Sequence, residues 1–156
     1  AGAPKITAHD TVKGVALGTI IKAHDATYGE GEFIYLLGVT ATVVGSVVTY
    51  DASTWQTVLC EVAGAIPRPI AIAMSANVGS EYGWYQISGV AVASKLCTVS
   101  VATGIAVGVL STGTVAGTSG TKEIFGAVFA AVSSATAGGI TAKIMINRPH
   151  KQGRVT

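Results

Sequence analysis

Glycine interrupts this chain every few residues, and the runs between the glycines are short and rich in Val, Ile and Thr. That punctuation limits what the chain can become. An interior Gly costs a helix about 1 kcal/mol relative to Ala, and β-branched residues lose side-chain freedom there. The same residues suit short strands joined by tight turns. Parallel α/β folding needs amphipathic helices between strands, and none is visible. Turn signals at roughly 8–12-residue spacing predict an all-β single domain, a β-sandwich or barrel with extended terminal segments. The expected divisions are an N-terminal arm over 1–11, a β domain over 12–147 and a basic C-terminal tail over 148–156.

Along the chain, residues 12–22 read as a first strand or hairpin bending at Gly14 and Gly18, and HDATYGEG (24–31) reads as a loop. Strands are expected over 32–37, 39–50 and 56–63, with DAST (51–54) as a turn. Prolines 67 and 69 exclude 66–69 from a helix interior or a central strand, because each lacks an N–H donor. Residues 70–74 place Ile70, Ile72 and Met74 on one face and two alanines on the other. After a loop over 77–83, residues 84–93 alternate until Gly89 shifts the register. Residues 97–118 read as strands broken by Gly104, Gly108 and Gly113, and 114–121 as an exposed loop. Residues 125–137 read as strand with a loop despite their alanines. Finally, 140–147 alternate Ile144 and Ile146 against Lys143, Met145 and Asn147, the pattern of an edge strand with an outward charge.

Charge then bears on function. Only 12% of residues are charged, about half the ~25% of an ordinary soluble domain, and the mean hydropathy is +0.55. A chain of 156 residues needs a large polar skin if it stands alone. Either Ser, Thr, Gly and Ala supply it, or partner subunits cover much of the surface; an assembly protein combines the two. Residues 33–50 and 96–121 carry no charge and are long enough to span a bilayer. Glycines break both stretches and no basic cluster flanks them, so no membrane partner is expected. AGAPKITAHD has no basic start followed by an apolar run, and its first Ala fits removal of an initiator Met, so synthesis and retention in the cytoplasm are expected. The net charge of +2 is too small to imply nucleic acid. Its distribution is uneven: four basic residues and no acidic one follow Glu123, leaving −2 on the rest. A polar basic terminus on a near-neutral body fits an arm that reaches an acidic surface, or a solvated end without a role.

No constellation for chemistry stands out. His9, His24 and His150 fall in expected loops or termini, and the neighbours Asp10 and Asp25 point to opposite faces of an extended chain from their histidines. A hydrolase on a β scaffold would have to use His24 or His9. GTVAGTSGTK (113–122) fails as a phosphate loop, since Thr121 separates Gly120 from Lys122. Carboxylates are scattered singly, and Cys60 and Cys97 read as buried free thiols, so no catalytic residue, metal or cofactor is expected. Tyr82, Trp84 and Tyr85 form the one candidate aromatic surface. Exposed, they would stack on sugars, as in a carbohydrate-binding β-sandwich, or on single-stranded nucleic acid; buried, they are core.

Several segments together resemble a known group. GEFIYLLGV (31–39), VVGSVVTYD (43–51), PIAIAMSA (69–76), YGWYQISGVAVA (82–93) and INRPH (146–150) are similar to small virion proteins of tailed bacteriophages, the head decoration or capsid cement proteins. The likeness runs from about Gly31 to Pro149, and YGWYQISG is its most specific string. It implies a compact β domain, typically a homotrimer, that seats on the outer capsid surface and ties neighbouring major capsid subunits together without an active site. On that expectation, composition nominates the N-terminal arm (1–9) and the residues Arg148, Pro149, His150, Lys151 and Arg154 as contacts with the capsid.

Overall fold

The structure is a computed structural model, and it describes residues 5–63, 66–97, 100–117, 122–133 and 136–153, without the side chains of 96–97 and 136–139. Among the described residues there is no helix, as the glycine punctuation requires. Eleven strands form among them: β1 (His9–Asp10), β2 (Ile20–Asp25), β3 (Gly29–Leu37), β4 (Val47–Tyr50), β5 (Thr57–Leu59), β6 (Ile70–Ala73), β7 (Tyr82–Cys97), β8 (Ala106–Val109), β9 (Val115–Gly117), β10 (Lys122–Phe129) and β11 (Thr136–Lys151).

All belong to one mixed sheet organised by the 16-residue strand β7. Its second half pairs with β11, and the order β11-β10-β8-β9 returns to β7, where Lys95 meets Val115 in parallel. That closed ring is a small barrel. The first half of β7 pairs with β3 and β6, and β6 continues to β4 and β5. A bridge between Leu37 and Gln56 brings the end of β3 to the start of β5 and closes a second ring. Closing rings satisfies backbone groups that an open sheet would leave unpaired.

Each ring holds its own core. Ala91, Ala93, Val107, Val109, Val115, Ile124, Phe129, Ile144 and Ile146 fill the first. Ile34, Leu36, Tyr85 and Ile87 occupy the second, with Trp55 packed against them. Strands β4 and β6 lie between the two. Ile70 and Ile72 join the first cluster while Ala71 and Ala73 join the second. The alternation expected over 70–74 is therefore present, but both faces are buried. The total accessible surface is 7689 Å², close to the roughly 7,250 Å² typical of a compact monomer of this mass.

Gly89 is where β7 passes from one ring to the other. Its φ of +98° favours glycine, and the β3–β7 register slips between Glu32 and Phe33, beside it. The register shift expected at this residue is found there.

Several expectations are corrected. The segment 24–31 is mostly strand: β2 and β3 form a hairpin whose turn is 26–28, tied by the Asp25 carboxylate accepting the N–H groups of Thr27 and Tyr28 at 2.7 and 2.9 Å. The described part of the N-terminal arm, 5–11, folds back on the domain: β1 pairs with β7, and Ile6 and Leu17 pack on Phe33, Tyr35 and Trp84. Tyr35 donates to Asp10 at 2.9 Å and accepts the Gly14 N–H at 3.2 Å, fastening this strap. β11 is not an edge strand, because β10 and β7 flank it. Residues 148–151 are part of β11 rather than a tail, with Lys151 N–H bonded to Arg68 O at 2.9 Å.

Candidate interaction surface

The outer wall of the first ring is built from alternate residues of β10, β11 and β7. Since Ile144 and Ile146 point inward, Met145 points outward, opposite Val90 on one side and Val128 on the other. The result is an apolar row three strands wide. Met145 is 47% exposed and Val128 40%. Val132, 74% exposed, lies a few residues beyond the end of β10. The next outward position along β11 is Lys143, opposite Val92, with its Nζ 5.4 Å from the centre of the Tyr28 ring.

At the other end of the wall the strand changes phase. Gly126 (φ +79°) and Arg148 (φ +43°) sit at a register break between Phe125 and Ala127. Two extra residues on β11 here leave both Asn147 and Arg148 exposed, with Pro149 turned inward and His150 outward. Arg148 reaches Glu32 on β3 at 3.2 Å, and His150 lies against the half-exposed Phe125 ring, centroids 5.9 Å apart.

The nominated contact residues therefore separate. Arg148 and His150 reach this outer wall. Pro149 is buried, and Lys151 is only 5% exposed, its Nζ donating to Ala63 O at 2.7 Å. Neither side chain is free to reach a partner. Arg154 lies outside the described residues.

The aromatic candidates turn out to be core. Trp84 is 4% and Tyr85 0% exposed, on opposite faces of β7. Trp84 tilts against Tyr35 beneath the strap, with Tyr82, half-buried, stacked on the same ring. Tyr85 accepts from Asn77 Nδ2 at 2.9 Å, and burial raises its phenol's pKa. A sugar-stacking platform at these three positions is not presented at the surface.

The titratable groups do not converge. His9 lies 3.7 Å from Glu81, His24 stands exposed on β2, and His150 rests on Phe125. Among the described residues no three His, Cys, Asp or Glu side chains come together as metal ligands would. Cys60 is buried and unpaired, and burial pushes its thiol up to about 11. Inside the barrel Lys95 follows Ala91 and Ala93 on the inward face and donates to Ser133 Oγ at 2.8 Å. No helix of the described residues is long and apolar enough to cross a membrane.

Sequence reasoning placed Met145 outward but missed the row. What makes the row is its neighbours Val90 and Val128, which lie far away in sequence and meet Met145 only through the ladder. Compared with models of known protein families and with curated proteins, the chain matches none.

Proposed function

We propose that this chain is a structural virion protein that binds the outer surface of a tailed-phage capsid and cements neighbouring major capsid subunits, acting as a homotrimer and without catalysis. The observation that carries this reading is the Val128–Met145–Val90 row on the outer wall. Two exposed apolar side chains, Val128 and Met145, beside the half-buried Val90 on a chain with 12% charged residues favour a surface that neighbours cover. The resemblance of residues 31–149 to head decoration proteins supplies the identity of those neighbours.

The mechanism follows from geometry. A closed-ring shell is stiff and has few free edges, so it suits a clamp better than a moving part. Arg148 and His150 at one end of the row and Lys143 at the other supply polar contacts around an apolar centre. Repeated over a lattice, contacts of modest individual affinity become strong through effective concentration. The test is composition: particles purified from the virus encoding this chain should contain it at a fixed copy number commensurate with the capsid lattice. Its absence from purified particles would overturn the proposal.

A further inference from the structure

Among the described residues, strand β2 has one paired edge and one open one. Among the described residues its backbone bonds run to β3 alone. Tyr35 N–H donates to Thr19 O at 3.0 Å, which fixes the phase of the ladder: Ile21, Ala23 and Asp25 bond to β3, and the backbone groups of Ile20, Lys22 and His24 point away from it. Three N–H groups and three carbonyls are thus offered in strand spacing. The side chains flanking this edge differ by face. Ile20, Lys22 and His24 are exposed on one side, and Ile21 and Ala23 are half-buried on the strap side. On that strap side, Ala23, Phe33, Met74 and Val90 help to line an open hollow of about 470 Å³.

A second copy is a poor occupant. An antiparallel two-fold pairing must match outward-pointing residues with outward-pointing residues. The two registers of greatest overlap place Lys22 opposite Lys22, or opposite His24 of the other copy. Like charges directly opposite destabilise a pair, and in neither register does the other copy set a carboxylate opposite Lys22, whose own cross-strand neighbour on β3 is Glu32.

We propose that the outer edge of β2 accepts one extended segment of a different protein, with a carboxylate opposite Lys22 and apolar side chains directed to the strap side. Backbone bonds at Ile20, Lys22 and His24 supply the affinity, and the Lys22 charge with the adjoining hollow supplies the choice of segment. The reading of the chain as a capsid-binding protein enters only in naming the source of that segment, a major capsid subunit.

The experiment uses two synthetic nine-residue peptides that alternate Val and Thr, one with a central Glu and one with a central Lys. The readout is amide hydrogen exchange in the intact protein. The Glu peptide is expected to slow exchange at Ile20, Lys22 and His24 at least about tenfold while the Lys peptide does not, and Lys22→Glu should reverse the preference. Lys22→Pro, which removes an outward N–H and leaves the β3 ladder whole, should abolish the protection. The proposal is overturned if neither peptide protects these amides, if both protect equally, or if protection without peptide rises with protein concentration, the sign of a second copy on the edge. No phage particle is present, so these outcomes do not depend on the capsid reading. Heads that bind the Lys22→Glu variant normally would remove the capsid subunit as the source of the segment.

Discussion

Gly89→Ala is the substitution that tests the two-ring architecture most sharply. Alanine at φ +98° is strained, at a cost of about 1–2 kcal/mol for an L-residue in the left-handed region. Space adds a second cost. A Cβ here would sit 2.6 Å from Glu30 O, 3.2 Å from Gly31 Cα and 3.3 Å from Gln86 Nε2. The first two are backbone atoms of β3, so β3 must move away from β7. The third belongs to the side chain that bridges the bend by donating to Ser88 O and Val90 O at 3.0 and 3.1 Å. Losing two or three such bonds, at about 1 kcal/mol each, brings the expected total to about 3–5 kcal/mol. Gly104→Ala is the control: its φ is +83°, and a Cβ there meets nothing within 4 Å. It should cost only the conformational 1–2 kcal/mol or so. Equilibrium guanidinium unfolding of both variants, with unchanged slope, measures the difference directly. In thermal melts the gap of about 2–3 kcal/mol corresponds to roughly 4–12 °C. If the two variants unfold within about 0.5 kcal/mol of each other, β7 does not turn tightly against β3 at Gly89 and the architecture is wrong.

Other expectations follow from single sites. Trp84→Ala should lose about 3–5 kcal/mol, because the ring is buried under the strap, and a loss under 1 kcal/mol in the same unfolding assay would restore it as a surface residue. Arg148→Ala should change stability by less than about 1 kcal/mol, since its contact with Glu32 is largely exposed. Cys60 keeps its proton in the folded state up to about pH 11 but loses it in the unfolded chain near 9.0. Its contribution is therefore complete below pH 9 and lost as pH rises toward 11, by up to about 1.4 kcal/mol per unit. Unfolding curves at pH 8, 9 and 10 should show that decline, and Cys60→Ala should flatten it. The native thiol should also resist a disulfide reagent at pH 8 and react on unfolding.

The sequence was most legible where local pattern and tertiary burial agree. Alternation over 70–74 predicted which residues share a face, and Gly89 announced its own register shift because a positive φ leaves a mark in residue type. Alternation over 140–147 also predicted the correct faces. It could not reveal that β11 is flanked on both sides, since its partners β10 and β7 are chosen by ring closure. Polar composition misled in two places. Lys151 looks like a tail residue, yet it is buried, and the carbonyl of Ala63 accepts a hydrogen bond from its Nζ. HDATYGEG looks like a loop, but a three-residue turn closed by Asp25 suffices and the rest extends into β2 and β3. The free charged edge expected at 140–147 exists instead at β2, where Lys22 sits. Of the candidate contacts, Arg148 and His150 were legible as exposed polar residues, whereas the Val128–Met145–Val90 row required the fold.

The central claim is that neighbouring subunits cover this outer wall. Sedimentation of purified protein with expanded tailed-phage heads tests it most directly, comparing the native chain with Met145→Glu. The native protein should bind saturably and raise the melting temperature of the heads, whereas the variant should bind at least about tenfold more weakly while unfolding at an unchanged denaturant midpoint. Equal binding by both proteins, or binding by neither, would contradict the account.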